Sequence, residues 1–154
     1  MTTRPVRKQL DHSPHAVARF GGDFFITICC EKRSVNQLCR KETGEVILDT
    51  ARVYHDSNRW DLHLILLMPD HLHALVGIPG ETNMSDLIRD FKRITARKAG
   101  VKWQRNYFDH RLRHDESWRE ESDYILLNPV RAGLIAMQEK WPYTLFGDDR
   151  GTWT

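Results

Sequence analysis

Two apolar segments joined by a tight turn constrain the fold of this chain more than any other feature of the sequence. Residues 60–68 are almost continuously apolar, residues 71–78 return to an apolar pattern, and Pro69 and Asp70 between them are turn residues. Strands joined by so short a connection pair antiparallel. The sequence therefore predicts a β-hairpin over residues 60–78.

The segments on either side of this hairpin alternate between strand and helix patterns. We predict a strand at 24–30, a helix at 44–58, the hairpin strands at 60–68 and 71–78, a helix from 84 to 94, and a fourth strand at 106–112. The order β-α-β-β-α-β predicts a ferredoxin-like α+β sandwich, with an antiparallel sheet and its helices on one face. We expect one domain over residues 1–154, with its core at about 20–145 and residues 141–143 either folded back onto it or capping it.

Two histidines begin the second strand of the hairpin, in the order His71, Leu72, His73. Side chains in a strand alternate between faces, so Leu72 can enter the core while both imidazoles face one shared site. A neutral ring nitrogen is a ligand for many first-row divalent metals. The pattern therefore indicates a metal site, although two histidines on a half-exposed strand without a metal would look the same.

A second candidate element lies about fifty residues later, in a helix that we predict to start at Ser117. Ser117 and Glu120 fit a capping box, and Pro129 is expected to end the helix. Tyr124 and Asn128 are four residues apart and would share a face of it. A positioned tyrosine can be a covalent nucleophile, and an amide oxygen suits a hard cation such as Mg²⁺. The alternative is a packed tyrosine and an Asn-Pro pair that only stops the helix.

Together these motifs resemble a known family. The stretch MPDHLH at 68–73 resembles the HUH motif, in which two histidines flank a bulky apolar residue. The stretch YILLNPVRAGL at 124–134 resembles the signature of REP-associated tyrosine transposases, the domesticated branch of the single-tyrosine HUH transposases. Residues 103–113 and 24–30 are similar to the segment before the family's nucleophile helix and to its first strand. The resemblance covers about residues 20–145, in the expected order.

This resemblance implies a ferredoxin-like fold with a carboxy-terminal helix that carries the nucleophile. It implies an HUH endonuclease and strand transferase that acts on single-stranded DNA, usually beside a short imperfect hairpin in a repeat. Tyr124 would be the catalytic residue and would form a 5′-phosphotyrosine link. His71, His73 and Asn128 would hold Mg²⁺ or Mn²⁺. Members of the family are monomers or homodimers, so either state is expected here.

The formal net charge of +2 hides a strongly basic segment at 89–113, which has nine Lys and Arg against two Asp. Cations neutralise phosphates, and aromatic rings stack on unpaired bases. We therefore predict that this segment binds DNA, and the alternative is an ordinary solvated helix face. The predicted DNA-binding residues are Arg89, Lys92, Arg93, Arg97, Lys98, Lys102, Trp103 and Arg105.

Four further residues near these motifs are weaker candidates. His110 could contact a substrate phosphate or be an extra metal ligand. His63 is interpreted as a satisfied core histidine. Asp70 either orients His71 or is only a turn residue, and Arg131 either reaches a phosphate or caps its helix.

Other classes of protein are disfavoured by the sequence. No run of about eighteen apolar residues predicts a membrane span, and no apolar stretch after the basic amino terminus predicts a secretory signal. Cys29, Cys30 and Cys39 are interpreted as reduced thiols, so we expect a cytoplasmic bacterial protein, associated with the nucleoid when bound to DNA. Two alternatives stay open: a DNA-binding protein that no longer cuts, and a zinc hydrolase whose HxH site has a third ligand.

Overall fold

The computed structural model describes residues 21–113 and 115–148, without the side chains of 115–117. Our expectation about a signal at the amino terminus therefore lies outside the described residues. None of the helices in the described ranges has the length and apolar content that crossing a bilayer requires. The elements in chain order are β1 (Gly22–Cys29), α1 (Lys41–Asp56), β2 (Asp61–Met68), β3 (His71–Ile78), α2 (Met84–Ala99), β4 (Phe108–Arg111), α3 (Asp115–Leu126), α4 (Asn128–Arg131) and β5 (Thr144–Phe146).

All five strands form one antiparallel sheet in the order β4-β1-β3-β2-β5. The first four strands have the ferredoxin-like arrangement that the element order predicted. Of its two predicted arrangements the tail has the folded-back one, because β5 pairs with β2 and the Trp141 indole N–H donates to the Leu67 carbonyl at 2.7 Å. The pairing of this tail as a fifth strand was not predicted.

The two faces of the sheet have different partners. On one face Leu72, Ala74 and Val76 of β3 join the main core, to which α1 and α2 contribute their apolar residues. On the other face Leu75 belongs to a smaller core that includes Ile125 of α3. His71 and His73 share the strand parity of Leu75, so they lie on the α3 face.

Local chemistry explains the limits of α2. Asn83 caps its start by accepting the Asp86 N–H, and Gly100 ends it in the left-handed conformation with φ of 75°. The helix therefore runs to Ala99, beyond the predicted end of its apolar stripe. α1 begins at Lys41, three residues earlier than predicted, and ends at Asp56.

The segment that carries Tyr124 differs from the prediction at both ends. α3 begins at Asp115, so Ser117 is inside the helix and the predicted capping box is wrong. Pro129 does not end the helical path but lies in the first turn of α4, where its missing N–H costs nothing. Leu127, between the two helices, keeps right-handed helical backbone angles. Tyr124 and Asn128 thus lie on successive helices rather than on one.

Candidate active site

The two histidines form a pair on the α3 face, near the end of the sheet at the β2–β3 turn. Their ring centroids are 4.8 Å apart, and His71 lies between Met68 of β2 and Cys29 of β1 in the strand register. His73 is 6 % exposed, whereas His71 is half-buried. The predicted shared face is confirmed.

Hydrogen bonds hold the Nδ1 atom of each ring. Asp70 Oδ1 lies 2.8 Å from His71 Nδ1, and Thr27 Oγ1 lies 2.9 Å from His73 Nδ1. An ionised carboxylate only accepts hydrogen bonds, so His71 Nδ1 carries the proton and the lone pair is on Nε2. The Thr27 hydroxyl can fix the same tautomer in His73. This arrangement orients metal-binding histidines in many proteins.

Asp70 is anchored from a second loop as well. Arg33 Nε donates to Asp70 Oδ2 at 2.9 Å, and the Ser34 backbone N–H donates to the same oxygen at 2.7 Å. Burial alone would raise the pKa of Asp70, but these bonds and the one from His71 outweigh it and hold the pKa below its usual range. Asp70 therefore stays ionised and orients His71, which decides between its two sequence interpretations.

Both imidazoles are held in their neutral form. Burial lowers the pKa of His71, although the bond to Asp70 opposes the shift. Burial, with smaller contributions from the neighbouring His71 and Arg131, lowers the pKa of His73 to about 3. Neutral imidazole is the form that binds metal, so the rings need no deprotonation to become ligands.

Tyr124 reaches this pair from α3. Its ring centroid lies 6.2 Å from that of His73 and 6.0 Å from that of Phe25, and the side chain is 43 % exposed. The Arg131 guanidinium lies 4.3 Å from the centre of the Tyr124 ring and donates to the Tyr124 carbonyl at 2.7 Å. Two motifs about fifty residues apart in sequence therefore meet at one place.

The histidine pair supplies two neutral nitrogen donors to a candidate metal site. No cluster of three His, Cys, Asp or Glu side chains that could hold a metal exists within residues 21–113 and 115–148, side chains of 115–117 aside. His71 and His73 would need an oxygen ligand of another type, and Asn128, half-buried at the start of α4, is the predicted one. The described residues thus offer no third ligand of the type that a zinc hydrolase site requires.

Two other histidines lie on the α3 face. His110 of β4 is opposite Phe25, which puts it on this face but two strands away from His73 and level with Leu75. His63 was interpreted as a core residue, and this is wrong in part. Its Nε2 is satisfied by Asp23 Oδ1 at 3.0 Å, but its side chain keeps about a quarter of its exposure.

The basic residues of α2 lie on the other side of the sheet from the histidines, because α2 packs on the main core. Two of them are already paired with acids of the same helix. Arg89 lies 3.1 Å from Asp86, and Arg93 lies 2.8 Å from Asp90. Exposed pairs of this kind contribute little to stability, but they reduce the free positive charge of the predicted DNA-binding stripe.

Two members of that stripe are engaged in holding a loop. The Lys92 ammonium donates to all three carbonyls of 104–106, at 2.9–3.1 Å, so its three donors are used. The Trp103 indole N–H donates to Thr95 Oγ1 at 2.9 Å, and the backbone of Trp103 pairs with that of Cys30 in an isolated antiparallel β-bridge. In this structure both residues support the loop at 103–106, and their predicted contact with DNA stays a prediction.

The structure reveals a set of cations near the histidine end of the sheet, and the predicted DNA-binding residues include only some of them. We call Lys32, Lys102 and Arg105 the basic rim, and all three side chains are exposed. The Glu31 N–H donates to the Lys102 carbonyl at 2.8 Å, and the 104 N–H donates to the carbonyl of Cys29, the strand partner of His71. Lys32 was missed because only the fold brings its loop beside residues 102–105.

Comparison with known proteins agrees with this geometry. A family model described as IS200-like transposases matches residues 24–125, about two thirds of the chain. The chain belongs to the IS200-like transposase family. The match extends from β1 into α3, and so it includes the histidine pair and Tyr124.

Named relatives of this IS200-like transposase confirm the resemblance to REP-associated tyrosine transposases. The protein of that name from Escherichia coli K12 is 26 % identical over 132 residues, which cover 84 % of this chain and 79 % of the relative. A putative REP-associated tyrosine transposase from Haemophilus influenzae is 28 % identical over 149 residues, with 84 % and 82 % covered.

Solved structures confirm the fold of the transposase. A REP-associated tyrosine transposase bound to a REP hairpin superposes with a TM-score of 0.73 and 24 % identity, covering 92 % of this chain and 82 % of the other. A putative transposase from Deinococcus radiodurans gives a TM-score of 0.50 and 19 % identity, covering 67 % of this chain and 87 % of the other.

Proposed function

We propose that this transposase cuts and rejoins single-stranded DNA with Tyr124 as nucleophile, at hairpin-forming repeats. The observation that carries the proposal is the 6.2 Å separation of the Tyr124 and His73 rings, across two elements that are distant in sequence. The substrate class is supported by the relatives named as REP-associated and by the similar structure that is bound to a REP hairpin.

Tyr124 would act by transesterification of a phosphodiester. Its phenolic oxygen bonds to phosphorus while the bond from phosphorus to the 3′ oxygen breaks, and the DNA that follows stays attached through a 5′-phosphotyrosine. The tyrosine gives up a proton, and the departing 3′ oxygen takes one up. The number of phosphodiester bonds is unchanged, so a second 3′ hydroxyl can reverse the step without ATP.

His71, His73 and Asn128 would hold the divalent ion, with both imidazoles oriented by the Asp70 and Thr27 bonds and kept neutral by burial. Bound there, Mg²⁺ or Mn²⁺ would polarise the scissile phosphate and stabilise the negative charge that develops on its oxygens. The Arg131 guanidinium lies 4.3 Å from the centre of the Tyr124 ring and adds a positive charge beside the ring that carries the attacking oxygen.

A trapped adduct tests the proposal directly. We expect a 3′-labelled single strand with a short hairpin to become covalently attached to the protein in Mg²⁺ or Mn²⁺, as a shifted band in a denaturing gel. Mass spectrometry should place the DNA on Tyr124, because the Tyr54 side chain is buried and Tyr107 and Tyr143 are partly buried. An adduct on any of those three tyrosines would refute the assignment.

We also propose that the single-stranded DNA passes over the basic rim, since the rim adjoins the histidine end of the sheet and the basic residues of α2 do not. Changing Lys32, Lys102 and Arg105 to Glu should lower the salt dependence of binding. Each phosphate that the protein no longer neutralises reduces the slope of log K against log salt by roughly 0.7, so about two units are expected. Fluorescence anisotropy with a labelled strand at several salt concentrations measures it.

The matched control for this experiment is the double variant Arg97→Glu and Lys98→Glu. Both residues were predicted to bind DNA and are exposed, but they lie on α2, across the sheet from Tyr124. We expect the slope of this variant to stay near that of the wild type. If the α2 variant had the reduced slope and the rim variant did not, the strand would lie on the α2 face instead.

The second candidate function is DNA binding without cleavage. It would need a damaged site, but in this chain both histidines, their Nδ1 partners and Tyr124 are all in place. A hairpin strand that binds tightly yet yields no adduct in any divalent metal would favour this candidate.

A further inference from the structure

An irregularity in β2 turns His63 toward the nucleophile helix. The register with β3 shifts between Leu62 and Leu64, and these two residues lie in the two different cores. Regular alternation would have put them on the same face. The bulge therefore adds His63 to the α3 face, where its ring meets Trp118 of α3.

Asp23 fixes this histidine from two strands away. β3 lies between β1 and β2, and the residue of β3 between Asp23 and Asp61 is Gly77. A Cβ at position 77 would stand 3.1 Å from Asp23 Oδ1 and 3.3 Å from Asp61 Cβ, tighter than ordinary contact. Glycine thus leaves the space through which the Asp23 carboxylate reaches His63 Nε2 at 3.0 Å.

The hydrogen bond between Asp23 and His63 is strengthened by charge. The bond raises the pKa of His63, with burial opposing the shift and the Asp61 carboxylate adding to it. A charge-assisted bond of this kind is stronger than a neutral one. The ring is therefore held in one orientation, as an edge-to-face contact requires.

Trp118 packs against the His63 ring, whose orientation is fixed by Asp23. The two ring centroids are 5.9 Å apart at an interplanar angle of 85°, which is the favoured edge-to-face geometry. Trp118 is six residues before Tyr124, about 9 Å along the helix axis. α3 therefore contacts the sheet at His63 near one end and at His73 near the other, with Ile125 fully buried.

We propose that His63, held by Asp23 across Gly77, is a positioning residue that seats the nucleophile helix through Trp118. The proposal rests on the proposed role of Tyr124. The contact fixes the rotation and tilt of α3 on the sheet, so it sets where Tyr124 stands relative to His71 and His73 without touching DNA itself.

Single-turnover adduct formation tests this positioning. Trp118→Ala and His63→Ala should each slow the adduct rate roughly fivefold, the worth of one aromatic pair, and leave the DNA dissociation constant unchanged. Trp118→Phe keeps an edge for the His63 ring and should recover most of the rate. The double Ala variant should be no slower than either single one, because both remove the same contact.

Hydrogen exchange of the α3 amides tests the contact without any catalysis. We expect faster exchange over 118–126 in Trp118→Ala, His63→Ala and Gly77→Ala, with the strands of the main core unchanged. The matched control is His55→Ala, because His55 Nδ1 accepts the Leu62 N–H on the other face of the same strand. That variant should disturb β2 and leave α3 exchange as it was.

The outcomes separate this inference from the proposed function. If the wild type formed no adduct, the role of Tyr124 would fail, and exchange would still decide whether His63 seats α3. Unchanged α3 exchange in the three variants would overturn the seating. The coupling to Tyr124 would be overturned if the double Ala variant lost as much adduct rate as the product of the two single losses. It would also be overturned if the variants lost only DNA affinity.

Discussion

Tyr124→Phe is expected to abolish the covalent protein–DNA adduct and the nicked strand, while DNA affinity stays within about twofold of wild type. The ring contacts with Phe25, His73 and Arg131 do not involve the hydroxyl, so phenylalanine can keep them. Only the attacking oxygen is removed. Because Tyr124 is 43 % exposed and phenylalanine keeps its ring contacts, the free energy of unfolding should change by no more than about 0.5 kcal/mol.

The measurement combines three assays on one preparation. Denaturing gels and mass spectrometry follow the adduct, anisotropy follows binding, and thermal melting follows stability. A variant that still nicked the strand in Mg²⁺ would show that water or another residue is the nucleophile. A variant that lost binding together with cleavage would show that Tyr124 holds DNA rather than attacks it.

Replacing His71 or His73 by Ala should reduce cleavage by roughly a thousandfold or more while DNA binding persists. Removing a metal ligand costs several kcal/mol of transition-state stabilisation, at about 1.4 kcal/mol for each factor of ten. His73→Ala also leaves a cavity and removes the partner of Thr27, so a lower melting temperature is expected there than in His71→Ala. Asn128→Ala should be milder, with cleavage partly restored at high Mn²⁺.

Metal binding can be measured independently of DNA cleavage. The electron paramagnetic resonance signal of free Mn²⁺ reports the bound fraction, which should fall in both histidine variants and much less in Tyr124→Phe. Cleavage in EDTA should be undetectable for the wild type. Full activity in EDTA, or Mn²⁺ affinity unchanged in the histidine variants, would contradict a role for these residues as ligands.

The parts of the fold that were predictable from the sequence depend on short-range patterns. The alternation in His71-Leu72-His73 is a property of any strand, so the shared face of the two rings followed from spacing alone. The order of strands and helices limited the topology in the same way. The position of Tyr124 above the pair was indicated only by resemblance, because no local rule says on which face of a sheet a later helix will pack.

Some contacts of the basic segment could not be predicted from the sequence, because they join residues that only the fold brings together. Lys92 looks like its neighbours in the basic segment, yet the fold places three carbonyls around its ammonium. Trp103 looks like a stacking platform, yet Thr95 takes its indole N–H. A charge run records how many cations are present, but only the packing decides which of them remain available to a phosphate.

The unequal division of the sheet between its two cores has a consequence for how such a protein can change over generations. The main core holds α1 and α2, while the reactive side chains stand on the face with the smaller core. Under the proposed mechanism, substitutions at Tyr124 or His71 would therefore remove the chemistry and leave the folded scaffold intact. If the proposed mechanism holds, a lineage can lose strand cutting in a single step and still inherit a folded domain on which selection can act.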